Sequence, residues 1–418
     1  MPTIDDFMRP EWIPEIVLDM GKVIREWGEE KYLPVRRQID EDWREHKLVK
    51  PLMKEVLVDL GFSKSLWPSE VGGVDIPNGA TFVVVAVEEL ARLDAGFAIS
   101  VAISGGWPML PIILKPHRNM ELCLEFGPRF CGDQMYTCCS ALTEPQGGSD
   151  IEYLDFLHGK TVKTSARLEG DEWVINGHKL WPSSSNADLF GVACSTNPGS
   201  DDENDFALIY VPSNTPGVSI GAPYHKAGMA ADYNGDIWFD DVRVPKRYRA
   251  HGPGDDAKYF REVITYGCTA TAAISLGPMK NTYEIIKKWA SERIVCGKLL
   301  KEHSINAAVL AEIAVNIEAS SAKLHMVARQ IDYPDIYGIL PWEQAMVARA
   351  RAVSLFVSDA AVHVTNRAME LMGSYGYARE YDLEKHWRDV KMATLWLGSR
   401  QLDLIEVARY WYDIENLS

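Results

Sequence analysis

CCSALTEPQGGSD, residues 138–150, is the stretch on which the architecture turns. Cys138 to Leu142 read as a strand, and Pro145 with the Gly147-Gly148 pair ends it in a turn. A Gly-rich turn after a strand exposes backbone N–H groups. Two hydroxyls, Thr143 and Ser149, stand beside them. Such a surface suits a large polar ligand with phosphate or ring-nitrogen acceptors, although the same residues also serve as a plain turn.

Upstream, residues 11–130 read as helices. EWIPEIVLDMGKVIREW and LMKEVLVDLGF carry apolar residues at helical spacing, and VVVAVEELARLDAGFAISVAI is apolar nearly all round, as a core helix is. Downstream the pattern alternates. KTVKTSARLEG and EWVINGHKLW read as strands, with Asn176-Gly177 as a two-residue hairpin turn. DLFGVACS, DFALIYVP, PGVSIG and DIWFDDVRVP continue the pattern. A polar link, HGPGDDAKYF, follows at residue 251, and three long amphipathic runs after it predict a helical bundle. The expected fold class is α+β and multi-domain: an N-terminal helical domain (1–133), a central antiparallel β-barrel or sandwich (134–248) and a C-terminal four-helix bundle (249–418).

Composition narrows the function classes. Hydrophobic residues make up 47% and charged residues 24% of the 418 residues, which describes a chain able to bury a core. A net charge of -16 without a basic patch argues against nucleic acid and against an anionic membrane surface. The most apolar segment, Ala80 to Ile103, holds Glu88, Glu89, Arg92 and Asp94, so a buried helix is expected there and no stable membrane insertion. MPTIDDFMRPEWIPEIV has early acids and no continuous apolar run, so a cytoplasmic location is expected. The seven cysteines show no disulfide or zinc spacing, so reduced thiols and no metal site are expected.

ALTEPQGGSD resembles the signature of the FAD-dependent acyl-CoA dehydrogenase family. Four further segments resemble the family in the same order: NGHKLWPSSSNAD, PGVSIG with DIWFDDVRVP, ERIVCGKLLKEH, and MELMGSYGYAREYDLEKHWRDVK. The resemblance implies FAD held between the β domain and the C-terminal bundle of a homotetramer, an acyl-CoA substrate and an electron-transfer flavoprotein as acceptor. It implies that Ser140, Ala141, Leu142 and Thr143 line the flavin ring, with Ser149 near the cofactor or the CoA. Trp181 would stack on the ring and Ser183 would donate toward its N5. Arg293 would reach the pyrophosphate of a partner subunit's FAD, and Gly373, Ser374, Ser399 and Gln401 would lie near the cofactor. Cys296 and Ser304 depart from the family's usual Phe and Gln.

The family removes a proton next to the thioester with a Glu that precedes a Gly-Thr or Gly-Ser helix break. In KMATLWLGSRQLDL, residues 391–404, that position is Leu397, followed by Gly398 and Ser399; Leu397 and Gly398 are then expected to line the substrate. The family's second location for the base falls near Gly267-Cys268, again without an acid. Three explanations stay open: a partner subunit without its own base in a heteromeric dehydrogenase, another flavin reaction such as oxygenation or desulfination, or a relocated carboxylate. For relocation the candidate is Asp94, on a helix whose apolar surroundings would raise its pKa. The supporting resemblance is to the branch acting on alicyclic thioesters such as cyclohexene-carboxyl-CoA, where 1,4-elimination yields a conjugated diene. Trp181, Tyr375, Tyr377 and Trp396 would supply flat surfaces for a ring.

Overall fold

The computed structural model describes residues 10–154 and 162–414. Residues 1–9 of the N-terminal segment and Lys160-Thr161 at the head of the first expected strand run lie outside the described residues. The N-terminal part is built on the helices Glu15–Trp27, Gly79–Leu93, Ala95–Ser104 and Met120–Phe130. Every residue of Ala95–Ser104 is buried, as its continuous apolar sequence requires. The stretch Ala95–Ile113 is long and apolar enough to cross a membrane by composition, yet 83% of it is buried inside the fold.

The middle of the chain forms a seven-stranded sheet: β1 (Cys138–Ala141), β2 (Ser165–Glu169), β3 (Glu172–Lys179), β4 (Leu189–Ser195), β5 (Phe206–Pro212), β6 (Val218–Ile220) and β7 (Ile237–Pro245). Their order is β1-β4-β2-β3-β7-β6, with β5 on β4. The pairings of β4 with β1 and with β2 are parallel, so the sheet is mixed where a wholly antiparallel one was expected. Parallel neighbours need a long connection, and between β1 and β4 the β2–β3 hairpin supplies it.

That hairpin turns at Gly170-Asp171, between the paired Glu169 and Glu172, and not at Asn176-Gly177. Asn176 and Gly177 sit inside β3 at an irregularity in its pairing with β7. Asn176 exchanges two hydrogen bonds with Asp241, at 3.0 and 2.9 Å, which occupies the side chain a turn would have used. Gly177 is there for close approach: a Cβ would stand 2.3 Å from Thr164 Oγ1.

The C-terminal part contains the helices Asp255–Glu292, Ser304–Asp332, Gln344–Met372, Leu383–Ala393 and Ser399–Tyr412. Asp255–Glu292, 38 residues long, packs along both Gln344–Met372 and the N-terminal Gly79–Leu93. One hydrophobic core therefore runs through both helical parts and the sheet.

Candidate functional site

A cavity of about 460 Å³ opens where the end of β1 meets the loop after β3, the Ala95–Ser104 helix, the middle of Asp255–Glu292 and the helix break at 395–397. Ser140 and Leu142 line it, while Cys139 and Ala141 do not, because successive strand residues point to opposite faces. The Ala141 side chain thus faces away from the cavity, which leaves its backbone as the part expected to meet a cofactor. Thr143, Ser149, Trp181 and Ser183 line the same wall.

Trp181 has φ of +61° and is 45% exposed, with its ring stacked on Tyr224 at 3.8 Å. A bulky residue in the left-handed region costs about 1–3 kcal/mol. The backbone is held there by Asn234, whose amide donates to the Trp181 carbonyl at 2.8 Å. Ser183 Oγ donates to Asp232 at 2.7 Å, so its single hydrogen is committed within the protein and not free for a ligand.

The helix break also lines the cavity, through Leu395, Trp396 and Leu397. Leu397, Gly398 and Ser399 have φ of +47°, +106° and +57°. Gly398 meets this backbone without penalty, and it also closes onto a charged cluster: a Cβ there would stand 2.4 Å from Asp403 Oδ1 and 2.5 Å from Arg351 Nη1. Gly398 is therefore packed behind the wall, not on it. Arg351 Nη1 donates to the Leu397 carbonyl and, at 3.2 Å, to Asp403 Oδ1, which also accepts from the Tyr153 hydroxyl at 3.1 Å. Leu397 does line the cavity, and its Cδ1 would be 3.1 Å from a Cβ on Gly267. The two family base positions thus converge on one wall, and neither carries a carboxylate. Cys268 is buried behind it, with burial pushing the thiol up to about 12.

Asp94 is elsewhere, and the expectation that it takes a proton from substrate is corrected. It is fully buried, is not among the cavity-lining residues, and begins the Ala95–Ser104 helix by accepting from the N–H groups of Gly96 and Phe97 at 2.8 and 3.1 Å. Its Oδ2 is 2.9 Å from Lys385 Nζ. Burial acts most strongly and raises the carboxyl, but the Lys385 charge together with the hydrogen bonds from Lys385, the Phe97 N–H and Tyr32 outweighs it and holds Asp94 below its ordinary value. A carboxylate with a depressed pKa and a fixed cation is a capping and ion-pairing group.

Other expected residues also lie off the cavity. Arg293 places its guanidinium over the rings of Trp289 and Tyr375, and Gly373 and Ser374 are exposed beside that cluster. Tyr375 and Tyr377 are exposed there too, leaving Trp181 and Trp396 as the expected aromatics that reach the cavity. Ser399 and Gln401 start the last helix without lining it.

The sequence reading missed Glu152, Asp232 and Arg351. Glu152 lines the cavity, and its Oε2 lies 3.7 Å from Arg351 Nη1. Burial pushes Glu152 up to about 8 and Asp403 up to about 7, with the Arg351 charge opposing both. A signal was available for Glu152 alone: it follows Ser149 by three residues in the opening stretch, and Ser149–Glu152 is a 3₁₀ turn, where residues three apart stack over one another.

The chain matches three domain families in succession: acyl-CoA dehydrogenase N-terminal domain over residues 18–115, middle domain over 139–242 and C-terminal domain over 257–411. It is 28% identical to cyclohexane-1-carbonyl-CoA dehydrogenase of Syntrophus aciditrophicus (strain SB), over 92% of this chain and 94% of the relative. It is 26% identical to the mitochondrial short-chain specific acyl-CoA dehydrogenase of Homo sapiens, over 95% of this chain and 90% of the relative. Butyryl-CoA dehydrogenase from Megasphaera elsdenii superposes with a TM-score of 0.84 at 23% identity, covering 97% of this chain and all of that one, a likeness of fold.

Proposed function

The chain belongs to the acyl-CoA dehydrogenase family of FAD-dependent oxidoreductases, and on that premise we propose that it dehydrogenates the CoA thioester of an alicyclic acid. The observation that carries this reading is the two-walled cavity. One wall offers hydroxyl and backbone groups at Ser140, Thr143 and Ser149 with the half-exposed indole of Trp181; the other, around Trp107, Gly267, Trp396 and Leu397, is apolar and aromatic.

The residues present fit a flavin. Tyr224 covers one face of the Trp181 ring while the side chain remains 45% exposed, and the indole is held in a strained conformation. An aromatic plane kept open beside hydroxyls suits a flat polar ring system. FAD bound there supplies a two-electron acceptor for hydride. Trp181 and the Ser140–Thr143 segment orient that ring, and the apolar wall excludes water from the acyl group. Asp232 fixes Ser183, and Lys226 donates to the Asp232 carbonyl, so this corner is pre-organised by the protein itself.

The alicyclic acyl group is supported by the similarity to cyclohexane-1-carbonyl-CoA dehydrogenase and by the indoles of Trp107 and Trp396, which offer flat apolar surface. The 1,4-elimination route depended on Asp94 as base. With Asp94 capping a helix, we favour α,β-elimination, in which the proton leaves from the carbon beside the thioester. An electron-transfer flavoprotein as acceptor and a homotetramer follow from the family resemblance and belong to the same proposal, as does the cytoplasmic setting expected from the sequence.

The test is turnover of the purified protein with cyclohexane-1-carbonyl-CoA, cyclohex-1-ene-1-carbonyl-CoA and butyryl-CoA, using an artificial electron acceptor. The expected order has the saturated ring first. Faster turnover of butyryl-CoA would sink the alicyclic assignment, and preference for the cyclohexene ester would restore the 1,4 route.

A further inference from the structure

We propose that Glu152 is the proton acceptor of this site, in place of the carboxylate that Leu397 and Gly267-Cys268 do not provide. The inference rests on the acyl-CoA dehydrogenation proposed above. Among the described residues lining the cavity, the carboxylates are Glu152 and Asp232. Asp232 is committed on both oxygens, accepting from Ser100 Oγ at 3.1 Å and Ser183 Oγ at 2.7 Å. Glu152 is different. Among the described residues its buried Oε2 has no hydrogen-bond donor, and its charge neighbour is Arg351, with Nη1 at 3.7 Å. A buried carboxylate oxygen that accepts no hydrogen bond is costly unless a ligand uses it.

Its position matches the missing base. Arg351 Nη1 donates to the Leu397 carbonyl and lies 3.7 Å from Glu152 Oε2, so one nitrogen links the vacated base position to the new carboxylate. Leu397 and Gly267 meet on this wall, so Glu152 reaches from the β domain toward the place that two helices would otherwise supply. The 3₁₀ turn sets its side chain over Ser149, which lines the same cavity. Burial brings its pKa to about 8, near the range in which a general base works best at neutral pH. The charged and titratable groups around it are Arg351, Asp403 and Cys268 from three helices, with Asp150 and Tyr153 from its own turn.

In the step assigned to it, the C–H bond next to the thioester carbonyl breaks and its proton forms an O–H bond with Glu152. The electron pair left on carbon would become the new C=C bond, and the hydrogen on the neighbouring carbon would leave with its own pair, for which FAD, when bound, would supply the acceptor. Glu152 ends as a neutral carboxyl and returns its proton to water after product leaves.

The test separates proton removal from turnover. Holoenzyme with its flavin reduced, so that hydride transfer is blocked, is incubated in D₂O with cyclohexane-1-carbonyl-CoA or butyryl-CoA. Deuterium entering beside the carbonyl is followed by mass spectrometry. Wild type should exchange, with a rate that rises with pH through the Glu152 ionisation. E152Q, with flavin content and thioester Kd unchanged, should exchange at least about 100-fold more slowly, and E152D should fall between them. A second readout does not depend on exchange: the wild-type-minus-E152Q infrared difference spectrum should show the C=O band of a protonated carboxyl near neutral pH and lose it in alkali, while the bands of Asp403 and Glu262 are common to both proteins and cancel. Exchange by folded E152Q at the wild-type rate, or no such band, would overturn the proposal. Wild-type exchange of butyryl-CoA alone, lost in E152Q, would support Glu152 while overturning the alicyclic reading. No wild-type exchange of either ester would overturn both.

Discussion

Asp94 and Gly398 show how a single residue changes meaning once its neighbours are known. Asp94 holds Lys385 and the start of a buried helix, so D94N should destabilise the fold by on the order of 3 kcal/mol, read from urea unfolding. Lys385 keeps Asp389 at 2.7 Å, which limits the loss. Folded D94N should retain deuterium exchange within a few-fold of wild type, and loss of exchange with the fold and flavin intact would return Asp94 to the active site. Gly398 is constrained twice, by φ of +106° and by the Arg351–Asp403 pair at its Cα. G398A should therefore cost about 1–3 kcal/mol or more and disturb the cluster that holds Glu152, visible as a lowered Tm.

At the scale of elements, two short irregular pieces carry the chemistry between them. The 3₁₀ turn Ser149–Glu152 brings a carboxylate from the β domain, and the left-handed run at 397–399 turns the chain so that Leu397 faces Gly267. Glu152 and Leu397 approach the same wall from opposite sides, which makes a rescue possible. In the E152Q background, L397E should recover at least about tenfold of the lost exchange by supplying a carboxylate from the helix break. No recovery in a folded, flavin-loaded double variant would mean that Leu397 does not point where its contact with Gly267 indicates. Neither piece has a periodic sequence pattern, which is why hydrophobic spacing passes over both.

Across the whole molecule, helices from both ends of the chain pack with the sheet into one core and bury carboxyls that an open chain would ionise. Burial pushes Glu152 to about 8, Asp403 to about 7 and Asp332 to about 6, and it also raises Glu262. The folded protein holds protons on these groups that the unfolded chain releases above about pH 4.5, so their contribution to stability falls as pH rises from there toward 8. Asp94 has the opposite sign: its lowered pKa adds stability that is lost only as pH falls below the ordinary carboxylate range. Tm should thus decline between about pH 5 and pH 8, and E152Q and D403N should each flatten that decline; a Tm that rises over the range would contradict the burial of these carboxyls. The helix–sheet–helix order, the Gly-rich turn and the absence of an acid at Leu397 were legible in the chain, because each is a matter of local spacing or of one residue's chemistry. Local pattern misled at Asn176-Gly177, where pairing with β7 overrides turn propensity. Only tertiary packing decided that Asp94 meets a lysine, that Arg351 lies behind Gly398, and that Glu152 is left buried with an oxygen unshared. Those facts depend on residues far apart in the chain being brought within a few ångströms, as Asp94 and Lys385 are at 2.9 Å, and no local pattern encodes such a meeting.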